Sequence, residues 1–230
     1  MEKLNTLKYF IQYFLPFIPL LLGIIRFKKL DHGLRILVVY LIYCVIWEGI
    51  MRYMALVHGN NLFCWNTYPF LDIIILAYYL STINELPHLK KLIRKVFIPV
   101  VTGSFTLWLF LNYDKLTVTG LSSFKTFCSF LIVIMIIMYY YSLLIRQPYP
   151  NLLANAHFLV SIGLILYYAG TFMTWLFVET LFKQEFYNLI SLFTNWLHVI
   201  LFLFLKYVMI TVSILKGGYS KESYNVGIGK

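Results

Sequence analysis

The segment from Phe186 to Ser213 is long and apolar enough to cross a lipid bilayer as a helix, yet one of its sides is polar. The polar side recurs at helical spacing within an arc of about 80° and consists of Ser191, Asn195, His198, Phe202 and Lys206. Because polar groups are costly against lipid, this stripe must face other helices or a watery cavity.

Composition extends this conclusion to the whole chain. Hydrophobic residues make up 61% and charged residues 12%, whereas soluble domains carry about 25% charged residues. The net charge of +10 would suggest nucleic acid in a soluble protein, but the basic residues cluster between apolar segments, as topology signals do. A soluble domain and a nucleic-acid partner are therefore both disfavoured.

Seven apolar segments separated by short polar connections predict an all-α integral membrane protein, a seven-transmembrane-helix bundle in one domain. The predicted spans are 9–25, 36–57, 62–83, 96–113, 126–145, 153–178 and 186–213. The domain occupies 1–216, and a short cytoplasmic tail without a catalytic domain follows at 217–230.

Lysine and arginine fix the expected orientation. They are concentrated in the first, third and fifth connections and after the last span, for example at Arg26, Arg35, Lys90, Arg94 and Lys216. The positive-inside rule then places the N-terminus outside and the C-terminus in the cytoplasm of a bacterial inner membrane.

Polar residues within the spans predict a site in the outer half of the bundle. At 1.5 Å per residue, Asp72 lies about 15 Å deep, Glu48 about 12 Å and His198 about 15–18 Å. Asn195 lies one turn above His198, and Arg52 lies one turn above Glu48, in the favourable order for an ion pair. These five side chains can therefore converge.

Aromatic residues share faces with this site. Trp65, Tyr68, Asp72 and Tyr79 share one face of the third span, and the sixth span aligns His157, Ser161, Leu164, Tyr168, Thr171 and Trp175. Gly163 and Gly170 mark another face, where a neighbouring helix can approach closely. We expect an outward-facing cavity whose ligand-binding residues are Glu48, Arg52, Tyr68, Asp72, Tyr168, Trp175, Asn195 and His198.

Simpler roles compete with these. Glu48 and Arg52 can form an interfacial ion pair, and His198 with Asn195 can join two helices by hydrogen bonds. Lys206 is expected to extend to the cytoplasmic surface. Cys44, Cys64 and Cys128 lack metal-type spacing and are expected to be buried free thiols, with a Cys44–Cys64 bridge as the alternative.

Two catalytic or cofactor-dependent classes are disfavoured. A lysine on a seventh helix is typical of retinal proteins, but the residue four before Lys206 is Phe202 rather than an acid. An intramembrane metal hydrolase needs about three ligands, which Glu48, Asp72 and His198 could supply, but the last helix lacks a His-x-x-x-His pair. We predict no catalytic residues and no cofactor.

Several short motifs resemble a seven-helix membrane protein family of Bacteroidetes-type bacteria. They are Asn60-Asn61 followed by Tyr68 and an acid at Asp72, then the run from Phe158 to Phe172, then Trp196-Leu197-His198. In this chain Asp72 replaces the family's Glu, and Leu159 replaces its Trp. The resemblance implies the seven-helix fold, highlights Asn61, Tyr68, Asp72, Tyr167, Gly170 and His198, and implies a sensor-like role without assigning a reaction.

The sequence thus favours a non-enzymatic sensor or receptor-like module that binds a small, amphipathic ligand. Because the tail is short, the expected partner is a separate signalling protein, besides the lipid bilayer. The first alternative is a small-solute transporter, and the second is the metal-dependent hydrolase.

Overall fold

A computed structural model describes residues 14–118, 122–146, 152–183 and 197–217. Within these residues the chain is helical and contains no strand. Seven helices follow one another and correspond in order to the seven predicted spans. They are α1 (Phe17–Arg26), α2 (His32–His58), α3 (Leu62–Ile83), α4 (Pro87–Leu111), α5 (Ser123–Arg146), α6 (Ala156–Lys183) and α7 (Leu197–Lys216).

Four of these helices are long and apolar enough to cross a membrane: α2, α4, Ser123–Ile145 of α5 and Ala156–Leu176 of α6. Their outward sides carry large apolar side chains that no part of the described structure covers. Ile46, Leu107, Phe110 and Leu144 are exposed by 56%, 60%, 81% and 80%. Such a continuous apolar surface is unstable in water and is typical of a helix bundle in lipid.

The helices close into a ring. α1 packs on α2, α2 on α3, α3 on both α4 and α5, α5 on α6, α6 on α7, and α7 returns to α1. The core between them is filled by fully buried side chains such as Leu37, Leu76, Ile136, Leu164 and Ile210. A central polar group must therefore find its partners inside this ring.

α6 and α7 make the closest contact, as the two glycines predict. A Cβ added at Gly163 would lie 2.8 Å from Cβ of Met209 and 3.1 Å from the backbone oxygen of Lys206. A Cβ at Gly170 would lie 2.5 Å from the ring of Phe202. The close approach predicted for the Gly163 and Gly170 face is confirmed.

One end of the bundle carries most of the bonds made by arginine and lysine, and we call it the basic end. There Arg26 donates to the backbone oxygens of Ile214 and Leu215 at the close of α7. Arg35 donates to Leu30, Arg94 to the hydroxyl of Ser81, and Lys216 to Leu153. Cations at a helix C-terminus satisfy its last carbonyls and oppose its negative pole.

Several boundaries differ from the predicted spans, among them the start of α2 at His32 and the end of α6 at Lys183. The stretch expected to be the third connection is mostly helical, since α4 begins at Pro87 and passes through a π-helical turn at Ile93–Phe97. Proline fits the first helical position because its missing N–H would be unbonded there. α5 also starts earlier than predicted, at Ser123. Parts of the prediction at 9–13, 147–151 and 186–196 and the tail from 218 lie outside the described residues.

The three cysteines are separate, buried thiols. This confirms the predicted free state, and the alternative Cys44–Cys64 bridge is wrong. Disulfide cross-links therefore do not hold the described residues together.

Candidate functional site

The carboxylate of Asp72 lies at the centre of the bundle and is only 5% exposed. Its Oδ1 accepts hydrogen bonds from the hydroxyls of Tyr40 at 2.9 Å and Tyr68 at 3.2 Å. Its Oδ2 accepts a short hydrogen bond from the hydroxyl of Tyr168. Three hydroxyl donors from α2, α3 and α6 therefore replace the water that a carboxylate would have outside the membrane.

Lys206 reaches the same cluster from α7. It is 2% exposed, and its ammonium donates to the hydroxyl of Tyr40 across 3.2 Å. The ammonium also lies 4.4 Å from the ring centre of Tyr167 and 4.8 Å from that of Tyr207. One tyrosine hydroxyl thus bridges a buried ammonium and a buried carboxylate, and aromatic faces supply further stabilisation of the cation.

The prediction that Lys206 extends to the cytoplasmic surface is wrong. α7 continues to Lys216, so Lys206 lies near the middle of the helix, about 15 Å from its end. A lysine side chain is too short to cover that distance. The opposite charge of Asp72 and the hydroxyl of Tyr40 offset part of the cost of burying the Lys206 ammonium.

Aromatic packing holds Tyr68 in place beside Asp72. The ring of Tyr43 stacks on that of Tyr68 with centres 5.4 Å apart and planes 10° apart. The Tyr43 hydroxyl donates to the backbone oxygen of Tyr68 at 2.8 Å, and Sγ of Cys44 lies 3.6 Å from the Tyr68 hydroxyl. The ring position is therefore fixed on α2 as well as on α3.

A second cluster lies farther from the basic end, where α5 begins. The ammonium of Lys125 lies 3.6 Å from the ring centre of Trp175 and 5.0 Å from that of Trp65. The two indoles meet edge to face at 5.7 Å. Nε1 of Trp175 is buried and has no hydrogen-bond acceptor among the described residues. Two cation–π contacts thus hold Lys125 above the Asp72 cluster.

A cavity connects the two clusters. With the open space at its mouth it measures about 320 Å³, but its interior holds about one water molecule. Its walls are polar and aromatic side chains from α3, α5 and α6, namely Tyr68, Pro69, Asp72, Lys125, Cys128, Ser129, Tyr167, Tyr168 and Trp175. Convergent polar and aromatic groups are a feature of small-molecule pockets, and a ligand larger than one water would have to widen this cavity.

The structure gathers half of the predicted site. Tyr68, Asp72, Tyr168 and Trp175 line one cavity. Glu48 is half-buried on α2, within electrostatic range of Lys125 and Lys206 but outside the cavity wall.

The other predicted residues have different outcomes. Arg52 lies farther along α2 and does not line the cavity either. Asn195 lies outside the described residues, and so does the side chain of His198. The Glu48–Arg52 pair stays a prediction.

Sequence reasoning missed Tyr40 and Lys125 and gave Lys206 a different role, while Tyr167 was highlighted only by the family resemblance. Tyr40 is one of 19 tyrosines, so nothing in composition distinguishes it. Lys125 falls just before the predicted span 126–145, although it is the third residue of α5. Lys206 carried a usable signal, as the one lysine of the last polar stripe.

The metal alternative receives no support from the described residues, in which no three His, Cys, Asp or Glu side chains are grouped closely enough to hold an ion. The proposed set of Glu48, Asp72 and His198 depends on a histidine whose side chain is outside that description. The three tyrosine hydroxyls already occupy most acceptor positions of Asp72.

A third polar cluster lies at the basic end. Asp31 caps α2 by accepting from the amide of Leu34 at 2.9 Å, and its other oxygen lies 3.2 Å from Nε2 of His157. Nδ1 of His157 lies 3.1 Å from the Tyr79 hydroxyl. Burial alone would raise the pKa of Asp31, but His157 and the amides of Leu34 and Gly33 hold it below its ordinary 3.8.

The fold and these clusters define the class: a helical bundle with four membrane-compatible helices and a charged network at its centre. No protein family model, curated protein or solved structure matches the chain.

Proposed function

We propose that this protein is a non-enzymatic sensor or receptor-like module of a bacterial inner membrane that binds a small ligand in the cavity beside Asp72. The single observation that carries the proposal is the position of Asp72, with its partners Tyr68 and Tyr168, on the wall of a cavity. Charged groups are costly in the middle of a membrane bundle, and in membrane proteins they commonly mark ligand or ion sites.

Seven membrane crossings are part of the proposal. α1, α3 and α7 complete the ring that the four membrane-compatible helices begin. The basic end then faces the cytoplasm, as the positive-inside rule requires. The Lys125 end of the cavity faces outward, which suits detection of an external compound. A fluorescent reporter fused to the C-terminus tests this orientation, since a cytoplasmic location is expected and a periplasmic one would overturn it.

A closed inner half favours sensing over transport. Toward the basic end, the buried residues of α3 after Asp72 are Ile73, Leu76 and Ala77 before Tyr79 is reached. Facing helices add Leu37 and further apolar side chains. A transporter must open a polar path on both sides of its site, and these residues form an apolar layer instead.

The proposal also requires a protein partner that receives the signal. Ligand binding can shift a helix bundle between two packings only if the ligand prefers one of them. The bridge from Asp72 through Tyr40 to Lys206 joins α3, α2 and α7, so a ligand that alters Asp72 changes contacts on three helices. Cross-linking in cells is expected to recover a soluble signalling protein at the basic end.

Native mass spectrometry of gently purified protein in lipid nanodiscs tests ligand binding. A discrete small molecule is expected on the wild-type chain and absent from Asp72→Asn, because Tyr68 and Tyr168 on the cavity wall then lose the carboxylate that positions them. Gly103→Ala serves as the control because a Cβ there would meet nothing within 4 Å. A bare chain in both forms, or heterogeneous lipid bound equally to both, would overturn the proposal. Uptake of the released molecule by proteoliposomes would instead establish the transporter.

A further inference from the structure

We infer that the cavity takes an anionic amphiphile, a small organic acid with an apolar body, and that Lys125 and the indole N–H of Trp175 bind its acid group. This inference rests on the proposed function, since it names the ligand class of the same cavity. It follows from which hydrogen-bonding groups on the cavity wall are already occupied and which are not.

Asp72 is the one carboxylate that the described residues place on the cavity wall, and it is already satisfied. Asp72 accepts from three tyrosine hydroxyls, which fill three of its roughly four acceptor positions. The Lys206 charge reaches it through Tyr40. A cationic ligand would therefore have to displace bonds that the protein makes for itself.

The aromatic faces that would bind a cation are occupied too. Lys125 places its ammonium over both Trp65 and Trp175. A quaternary ammonium ligand would need these same faces. The resident lysine thus excludes the cation class by charge repulsion as well as by occupancy.

Three described groups on the wall lack an acceptor and can donate to a ligand. Among the described residues, Nε1 of Trp175 has no acceptor, and the Lys125 ammonium forms no ion pair within 4.0 Å. The Tyr167 hydroxyl likewise makes no hydrogen bond to a described residue, and its ring borders the cavity. An unpaired buried donor costs about 1–3 kcal/mol, so an arriving acceptor oxygen is favoured. An anionic oxygen is favoured most, because charge-assisted bonds to ammonium are the strongest available.

The aromatic part of the cavity wall favours an apolar ligand body. The aromatic rings of Tyr68, Tyr167 and Tyr168 add apolar surface to the cavity wall. The interior is narrow, so the acid group enters and the apolar body remains between the rings. This division between a charged head and an apolar body defines an amphiphile.

Three probes with one body and different head groups test the inference: 4-phenylbutyrate, 4-phenylbutan-1-ol and 4-phenylbutylamine, the last a cation at neutral pH. Each is titrated into the full-length protein in nanodiscs of zwitterionic lipid, and the dissociation constant is read from tryptophan fluorescence. We expect the acid to bind at least tenfold more tightly than the alcohol, and the amine to bind most weakly. Equal affinities, or tightest binding by the amine, would overturn the inference.

Variants of Lys125 and Trp175 test which side chains cause the preference for the acid probe. Lys125→Met should lose the tenfold preference for the acid, whereas Lys125→Arg, which keeps the charge, should retain it. If Lys125→Met cannot be recovered folded, Trp175→Phe removes the N–H donor and should weaken acid binding without affecting the alcohol. An unchanged preference in the recovered variant would overturn the assignment.

The anionic ligand class and the sensor role can each be overturned without overturning the other. If none of the probes binds at millimolar concentration, the anionic class is overturned. A discrete ligand in the native mass spectrum would still support a binding site. If the acid binds through Lys125 but no cellular ligand or signalling partner is found, the anion site stands and the sensor role does not.

Discussion

The ammonium of Lys206 and the hydroxyl of Tyr40 lie 3.2 Å apart in a part of the bundle that water does not reach. The same hydroxyl donates to Asp72 at 2.9 Å. Tyr40 therefore carries a hydrogen bond from one buried charge to the other, and neither charge is left without a partner. Because α2, α3 and α7 each supply one of the three groups, the network fixes the relative positions of these helices.

Removing one of the two charges should be more damaging than removing both. Asp72→Asn leaves the Lys206 ammonium uncompensated, and we expect a loss of about 3 kcal/mol in the free energy of unfolding. Lys206→Met should be destabilising as well. The double variant should lose less stability than the sum of the two single losses, because the two side chains interact. Unfolding followed by circular dichroism in one detergent measures all four forms, and strict additivity would contradict the coupling.

Tyr40→Phe should separate the two charges while keeping the ring. Lys206 then loses its acceptor and Asp72 one of its donors, so a loss of about 1–3 kcal/mol is expected. The matched control is Tyr207→Phe, since the Tyr207 ring also faces Lys206 but its hydroxyl makes no hydrogen bond to a described residue. Infrared difference spectra should show a shifted carboxylate stretch in Tyr40→Phe only. Equal effects of the two variants would assign the role to the rings.

The sequence predicts the number and order of the helices because each apolar segment is longer than an ordinary core helix and is bounded by polar residues. It also identifies Asp72, since a lone carboxylate in the middle of an apolar span has few explanations. It does not predict which residue of another helix each side chain contacts. Lys206 illustrates this, because depth along its own helix says nothing about Tyr40 on a helix far away in the chain.

The residues of the cavity illustrate the same limit of sequence-based prediction. Tyr68 and Asp72 share one face of α3, so their proximity follows from helical periodicity. Lys125 joins them only because α5 packs against α3 and begins two residues before it. An error of three residues in the predicted start of α5 was enough to leave this lysine in a loop and out of the site.

Acid should weaken the basic end through Asp31. Its folded-state pKa lies below the ordinary 3.8, so its contribution to stability is complete above that value and is lost as pH falls through the lower, folded-state pKa. Between about pH 5 and pH 2, the free energy of unfolding should therefore decrease more steeply in wild type than in Asp31→Asn. That variant keeps a side-chain acceptor for the Leu34 amide but cannot form the ion pair with His157. Parallel curves for the two proteins would contradict the assignment.

Gly163→Ala should separate α6 from α7. The new methyl group would lie 2.8 Å from Cβ of Met209 and 3.1 Å from the Lys206 backbone oxygen, and neither atom can rotate away. The helices must move apart, at a cost of about 1–3 kcal/mol. Movement of α6 also shifts Tyr168 and Trp175 on the cavity wall, so acid-probe binding in the cavity should weaken together with stability.

Gly103→Ala is the matched control, because a Cβ there meets nothing within 4 Å. Replacing an unobstructed helical glycine removes conformational freedom from the unfolded chain, so this variant should gain about 0.5–1 kcal/mol. Thermal unfolding of both variants in one detergent gives the comparison. If Gly163→Ala were as stable as Gly103→Ala, the close approach of α6 and α7 would not contribute to stability, and the position of Lys206 would have to depend on Tyr40 and Asp72 alone.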